Sequence, residues 1–295
     1  MPYQMPFKYL LNPGHTACAG CGELLAMRHV LEASGSNTLV AGATGCSEVT
    51  TSKYPTSSFK VPWIHANFEN SAPLISGILA SYDFRGEKAP NLIAWGGDGA
   101  TFDIGLGMLS GAWERGENFL YVCFDNEAYM NTGVQASGST PINSNTTTTP
   151  PGKRSSGNNL LKKDMVKIAL AHNLQYVATA TVGNVLDIQN KVRKALTFSG
   201  PKFLQILVTC VPGWYTESKD TVKVASLAQK TGVFPVVEYV DGQLVGVARC
   251  PNPRPRVEEY LKLQGRFKHL FNSGNEEEIK KIQDLADKNV EKFGL

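Results

Sequence analysis

The sequence predicts an α/β protein built on a doubly wound, mostly parallel sheet, and three observations predict it. Short apolar runs alternate with helix-period segments over most of the first 210 residues, the order expected when helices cover both faces of a parallel sheet. At 295 residues the chain has room for one large core plus an extension, near the size at which a single core stops growing. Hydrophobic residues make up 42% and charged residues 19%, the balance of a globular chain rather than a disordered or fibrous one.

In chain order, GELLAMRHVLEA (22–33) has helical periodicity and NTLVAG (37–42) reads as the first strand. SAPLISGILASYDF (71–84) is helical, NLIAWGG (91–97) is a strand, and a helix is expected from about 103 to 113 within IGLGMLSGAWERG. FLYVCFD (119–125), QYVATA (175–180) and KFLQILV (202–208) complete the strands. Helical KDMVKIALAHN and NVLDIQNKVRKALTF separate the last three. Two segments break the pattern. Residues 137–159, SGSTPINSNTTTTPPGKRSSGNN, form a polar loop whose length suggests a functional lid or a disordered segment. After Cys210 the alternation dissolves, and the chain ends in charged NEEEIKKIQDLADKNVEKF, a solvated surface helix or a docking arm. The expected organisation is an α/β domain over 1–210, with a cysteine-bearing segment at 1–50, followed by a C-terminal extension over 211–295 that serves subunit docking.

A net charge of +3 is too small and too scattered to argue for nucleic acid. MPYQMPFKYLLNPGH contains no apolar stretch of signal-peptide length, and no run approaches the roughly 18 apolar residues of a membrane span. A cytoplasmic location is expected. Six cysteines in such a chain, Cys18, Cys21, Cys46, Cys123, Cys210 and Cys250, read as metal ligands or redox groups where they cluster, rather than as a disulfide framework.

The first candidate site is WGGDGATFDIG (95–105). Gly97, Asp98 and Gly99 follow a strand and precede a helix, where backbone N–H groups and a helix N-terminus can receive a phosphate. Asp98 offers a hard oxygen ligand suited to Mg²⁺, which commonly bridges carboxylate and phosphate. Glycine and aspartate also build ordinary turns, so the next strand matters. It ends at Asn126, with 26 residues between Gly99 and Asn126, about the length that joins two neighbouring parallel strands through one helix. Asp98 and Asn126 should therefore emerge side by side. The pattern is neither a dinucleotide fingerprint nor a P-loop.

The second candidate site is made of cysteines. Cys18 and Cys21 form a CxxC in HTACAGCGE, Cys46 follows in GATGCSE, and Cys210 lies far downstream in VTCVPGW. One CxxC with two single cysteines suits a four-thiolate zinc site or a 4Fe–4S cluster. A thioredoxin-like role is disfavoured because the motif precedes the first strand. Cys123, inside an apolar strand, reads as a buried inert thiol, and Cys250 in ARCPNPRP carries no assigned role.

GGDGATFDIGLGMLSGAWERGENFLYVCFDNEAYMNTGVQASGSTP, together with CxxCGE, GCSE and the late C-x-x-G-W, resembles the β subunit of the pyruvate:ferredoxin oxidoreductase family, whose fold is of the thiamine-diphosphate-binding type. The resemblance implies that Asp98, the Asn126 side chain and the Ala128 carbonyl bind Mg²⁺, and that Gly97 and Gly99 let the diphosphate approach. It places Asn131 near the thiazolium and substrate, with Thr132 and Gly133 on the same wall, and implies that Cys18, Cys21, Cys46 and Cys210 hold a 4Fe–4S cluster nearby. Pyruvate, coenzyme A and oxidised ferredoxin would give acetyl-CoA, CO₂ and reduced ferredoxin, in the cytoplasm of an anaerobic organism. The glutamate that activates the aminopyrimidine would come from an α subunit, and further 4Fe–4S clusters from γ/δ subunits.

KVPWIHANFENSAP (60–73) matches the family's WIH…FEN text, which puts His65 and Glu69 between a structural and an active-site role. Asp103 reads as a helix N-cap or as a catalytic group. Lys153 and Arg154 read as a solvated pair or as contacts for coenzyme A phosphate. The loop TPINSNTTTTPPGK departs from the form expected of pyruvate enzymes at NSN, which leaves open a branched-chain 2-oxo acid, or oxalate cleaved to two CO₂ without coenzyme A. A non-catalytic electron-transfer subunit and a zinc-binding module are the alternatives of other classes.

Overall fold

A computed structural model describes residues 9–295; residues 1–8, part of the stretch read for a leader, lie outside the described residues. The elements in order are α1 (Gly22–Ser34), β1 (Thr38–Ala43), α2 (Cys46–Val49), β2 (Trp63–Ala66), α3 (Ser71–Arg85), β3 (Asn91–Gly97), α4 (Leu106–Glu114), β4 (Leu120–Asp125) and α5 (Met165–Ala171). They continue with β5 (Tyr176–Thr181), α6 (Val185–Ala195), β6 (Lys202–Leu207), α7 (Val211–Trp214), α8 (Thr221–Lys230), β7 (Val237–Val240), β8 (Gln243–Val247), α9 (Val257–Leu261) and α10 (Glu276–Phe293). One sheet contains all eight strands in the order β2-β1-β3-β4-β6-β5-β7-β8. The first six run parallel, and β7 and β8 are antiparallel.

Strand periodicity sorts the core into two faces. Val40, Ile93, Trp95, Val122 and Phe124 pack with Val30 and Leu31 of α1 and Ile188 and Val192 of α6. Leu92, Ala94, Tyr121 and Cys123 pack with Ile75 of α3, Leu109 and Trp113 of α4, and Met165 and Ala169 of α5. Helices thus cover both faces, as the alternation predicts. Cys123 is fully buried on the second face, in keeping with an inert thiol.

Two expectations need correction. The extension over 211–295 does not stand apart from the sheet. VEYVDGQLVGV folds as a hairpin whose turn residues Asp241 and Gly242 have φ of 47° and 75°, and β7 pairs with β5. An Asp-Gly between apolar runs is a strong hairpin signal, and the breakdown of strand–helix alternation hid it. The terminal helix α10 is a surface helix with one packed side: Glu276, Lys280, Asp284 and Lys288 are exposed, while Ile282 and Ala286 are buried with Val257, Tyr260 and Phe267. The polar loop 137–159 is packed rather than loose: Ser139, Thr140, Asn143, Ser144 and Asn158 are buried. WIHA, unassigned from sequence, is the edge strand β2.

At the start of β6, Lys202 is buried, and its ammonium donates to the Asn118 side chain and to the Phe198 carbonyl at 3.2 Å. Burial pushes its pKa down to about 8. The unfolded chain holds this proton until about pH 10.4, so between those values it binds more protons than the native state and stability rises with pH. The gain over that window is on the order of 3 kcal/mol. Partly buried thiols with raised pKa values act in the opposite sense above about pH 8.5, so the measurement is a difference: between pH 7 and pH 10, urea unfolding should show the wild type gaining stability relative to Lys202→Met.

Candidate active site

Every residue singled out at the two candidate sites lies beyond the carboxyl end of a strand, or on a segment packed there. Cys46 follows β1, Asp98 follows β3, Asn126 and Ala128 follow β4, and Cys210 follows β6. These four strands are adjacent in the order β1-β3-β4-β6. The sheet therefore gathers residues 164 positions apart, Cys46 and Cys210, along one edge, where open parallel sheets place ligands. The CxxC segment is brought there by close packing. Gly22 donates its N–H to the Thr209 carbonyl at 3.0 Å, and a Cβ on Gly22 would stand 2.6 Å from Thr209 N. The glycine after the second cysteine is thus what lets α1 begin against the end of β6.

The expected pairing of Asp98 and Asn126 is present: the Asn126 N–H donates to Asp98 Oδ1 at 3.3 Å. One end of the Asn126 amide stands 3.0 Å from Asp98 Oδ1 and 2.7 Å from the Ala128 carbonyl oxygen. An amide nitrogen at that position would donate to both. An amide oxygen there makes three oxygens spaced at the roughly 3 Å that separates adjacent ligands in an octahedral Mg²⁺ shell. We favour the second orientation, because the amide nitrogen then donates to Glu23 Oε2 at 3.5 Å; turned over, the amide would set an oxygen against that carboxyl.

Charge favours a cation here as well. Asp98 is buried, as are Asp125, Glu127 and Glu23, while among the described residues Lys162 and Arg266 are the cations paired with this group. Burial, and then the Asp125 carboxylate, push the Asp98 acid well above its ordinary range, although the Ser137 hydroxyl donates to it. Burial pushes Glu23 up to about 7. A divalent ion on Asp98 would offset this surplus of buried carboxyl groups. The residues fit Mg²⁺.

Gly97 and Gly99 differ. A Cβ on Gly97 would meet only the Phe124 carbonyl oxygen, at 3.9 Å, so the protein itself leaves space there. At Gly99 a Cβ would fall 2.4 Å from Tyr129 Cε1, so protein packing already requires that glycine. The turn Gly99–Ile104 is π-helical, a feature common at functional sites. It also corrects the reading of Asp103. The cap position of α4 is Gly105, and Asp103 instead accepts from Tyr129 Oη at 3.0 Å, Gly138 N at 2.9 Å and Lys163 Nζ at 2.6 Å. It fastens the polar loop to the GDG turn.

The four thiols of the second candidate site influence one another. Burial, then Glu23, Cys210 and Cys21, push the Cys46 thiol far up. Burial and Glu23 push Cys21 up to about 11, with a contribution from Cys18. Burial, with smaller effects of Cys21, Glu23 and Cys18, pushes Cys210 up to about 12. Thiols in this setting ionise only beside a strong positive charge, which an iron–sulfur cluster or a metal ion supplies. Among the described residues no three His, Cys, Asp or Glu side chains converge as single-ion ligands.

Asn131, on the turn after β4, reaches the thiols: its Nδ2 donates to Cys46 Sγ at 3.1 Å. Thr132 and Gly133 lie beside it on an exposed turn, with Thr132 Oγ1 bonded to Gln135 and Gly133 at φ 119°. His65 ends up on the same sheet edge but on β2, two strands from Asp98. It is exposed, bonds Thr44 Oγ1 through Nε2 at 2.7 Å and stacks on Trp63. Lys153 and Arg154 are exposed. Cys250 is bonded to the Gln229 carbonyl and lies in the C-terminal extension. Sequence reasoning passed over Glu23, Asp125, Ser137, Lys162, Trp214 and Arg266. Two of these carry a signal: Glu23, directly after CxxCG, and Trp214, the last residue of C-x-x-G-W.

This fold and this edge of oxygens define a thiamine-diphosphate-binding domain, and comparison agrees: the family model "Thiamine pyrophosphate enzyme, C-terminal TPP binding domain" matches residues 43–206. The chain is 48% identical to pyruvate synthase subunit PorB of Methanosarcina barkeri over 98% of both chains. It is 45% identical to PorB of Methanocaldococcus jannaschii over 99% of both. Ketoisovalerate oxidoreductase subunit VorB of Pyrococcus abyssi is 41% identical, over 96% of this chain and 95% of that one. The chain belongs to the family of 2-oxoacid:ferredoxin oxidoreductase β subunits. In fold it also matches the 2-oxoglutarate:ferredoxin oxidoreductase of Magnetococcus marinus, with a TM-score of 0.60 at 18% identity, over 77% of this chain and 81% of that one. Among the described residues no helix is long and apolar enough to cross a membrane.

Proposed function

We propose that this chain holds Mg²⁺–thiamine diphosphate on Asp98, Asn126 and Ala128 and a 4Fe–4S cluster on Cys18, Cys21, Cys46 and Cys210, and acts in the oxidative decarboxylation of pyruvate. The convergence of three oxygens at the adjacent ends of β3 and β4, on the sheet edge that also carries Cys46 and Cys210, carries this reading. When bound, thiamine diphosphate supplies an electron sink for decarboxylation and the cluster a one-electron acceptor. The chain's own part is to anchor the ion through Asp98, to leave room for phosphate at Gly97, and to bring the thiols of Cys21, Cys46 and Cys210, partly buried, and of exposed Cys18 to the same edge. Asn131, bonded to Cys46, is assigned to the substrate wall.

The chain supplies the diphosphate half of such a site. The activating glutamate is assigned to an α subunit, further clusters to γ/δ subunits, and the electrons to ferredoxin. PorB relatives at 48% and 45% identity, against VorB at 41%, support pyruvate. The NSN departure bears less on substrate than its sequence suggests. Asn143 is buried and donates to the Glu278 carbonyl of α10 at 3.2 Å, and the Asn145 N–H donates to the Arg266 carbonyl at 2.9 Å. These contacts tie the loop to the C-terminal extension.

The test is ferredoxin reduction by the anaerobic complex. Pyruvate with coenzyme A is expected to support it, and oxalate alone or 2-oxoisovalerate with coenzyme A to fall well below. Higher rates with either alternative would reassign the substrate. Iron and acid-labile sulfide in the protein are expected; one zinc with neither would overturn the cluster.

A further inference from the structure

We infer that Arg266, from the C-terminal extension, is a positioning residue for the cation site: it clamps Glu127 so that Asn126 and Ala128 on either side of it face the same ion. The inference rests on the cation site proposed above and adds the part of the chain that shapes it.

Asn126 and Ala128 can converge because of the residue between them. Glu127 has φ of 68°, a left-handed conformation that costs any residue with a Cβ and persists only when its surroundings impose it. No glycine eases the turn. The surroundings are three charged groups, buried Asp125 and Arg266 and half-buried Lys162. Glu127 Oε2 accepts from Arg266 at 2.6 Å, and Oε1 from Lys162 at 2.9 Å. Lys162 reaches Asp125 Oδ2 at 2.6 Å, and Asp125 Oδ1 accepts from the Glu127 N–H at 3.2 Å. The Glu127 carbonyl accepts from Thr140 Oγ1 at 2.8 Å. Burial alone would raise the Glu127 acid, but Lys162 and Arg266 overcome it and hold the group below its ordinary value.

Arg266 is itself built into place. It is 2% exposed, donates through Nε to Gln264 Oε1 at 2.9 Å, and its guanidinium lies 3.8 Å from the centre of a Trp214 ring. Trp214 Nε1 donates to the Asn126 carbonyl at 2.7 Å. Two contacts thus run from one guanidinium to the Asn126–Ala128 turn, one through the Glu127 side chain and one through Trp214 to the Asn126 backbone. Trp214 stands four residues after Cys210, so the same clamp joins the late cysteine to the metal turn. Such outer partners of a metal ligand are commonly worth ten- to a hundredfold in metal affinity.

The experiment is a Mn²⁺ titration, read by electron paramagnetic resonance, of the assembled anaerobic complex with thiamine diphosphate present. Arg266→Met is expected to weaken Mn²⁺ binding by about tenfold or more while the visible absorption of the iron–sulfur protein is kept. Arg266→Lys, which retains charge but cannot both stack on Trp214 and reach Glu127, should fall between. Glu127→Gln/Arg266→Met should bind no worse than the weaker single variant, because two residues acting as one unit are not additive. That neutral pair also serves if Arg266→Met does not assemble, since a lone buried carboxylate is removed with its partner. Wild-type affinity in Arg266→Met, or losses that multiply in the double variant, would overturn the inference alone. A wild-type complex that binds no Mn²⁺ would overturn the cation site and the inference with it.

Discussion

Asp98→Ala is expected to leave the assembled complex without bound Mg²⁺ or thiamine diphosphate, and to lower ferredoxin reduction by about a thousandfold or more, the scale of losing an electrostatic anchor worth several kcal/mol. The size follows from the architecture. Asp98 is the one carboxylate among the three converging oxygens, and the other two are neutral groups that cannot hold a divalent ion against water by themselves. The variant should not unfold. Burial and Asp125 already push the Asp98 acid well up, so the folded chain gives up little by losing it in the absence of metal. Two measurements separate these effects: thiamine content after desalting, and the visible absorption of the cluster, which should persist because none of the four cysteines contacts Asp98. Retained thiamine with retained turnover would sink the proposed role of Asp98. Loss of cluster absorption together with thiamine would show general collapse instead.

The parts of this site legible in the sequence are those in which a residue's role is set by its own strand. Asp98 and Asn126 end neighbouring strands, and a spacing of one helix predicts their meeting. CxxC and the two single cysteines advertise themselves by type. What was hidden depends on partners that periodicity does not register. Lys162 sits in a loop and Arg266 in a short helical segment 139 residues beyond Glu127, and nothing local distinguishes either from a solvated cation. Asp103 was misread for a related reason. A polar residue before an apolar helix suggests a cap, but the π-helical turn moved the helix start to Leu106 and freed Asp103 to hold the loop. The hairpin of β7 and β8 was legible in VEYVDGQLVGV and was passed over because it follows the point where strand–helix alternation stops.

Cys46→Ser is the counterpart at the other end of the site. It is expected to remove this chain's share of the iron–sulfur absorption and bring ferredoxin reduction to background, while Mn²⁺ and thiamine diphosphate still bind. Serine keeps the volume but replaces a soft thiolate with a hydroxyl that does not ionise near neutral pH, and cubane iron is held by thiolates. Cys46 makes the sharper test than Cys18 or Cys21, because it stands on a different element and accepts the Asn131 side chain at 3.1 Å. Its loss therefore cuts the one hydrogen bond seen between the thiols and the proposed substrate wall. Cys123→Ser and Cys250→Ser are the controls, the first fully buried within β4 and the second in the C-terminal extension bonded to Gln229. Both should retain the absorption even if Cys123→Ser lowers stability, since it places a hydroxyl in an apolar layer. A Cys46→Ser complex with full absorption and full ferredoxin reduction would break the four-cysteine assignment; loss of absorption in Cys250→Ser would move the cluster to the extension, away from the oxygens that Asp98 and Asn126 present.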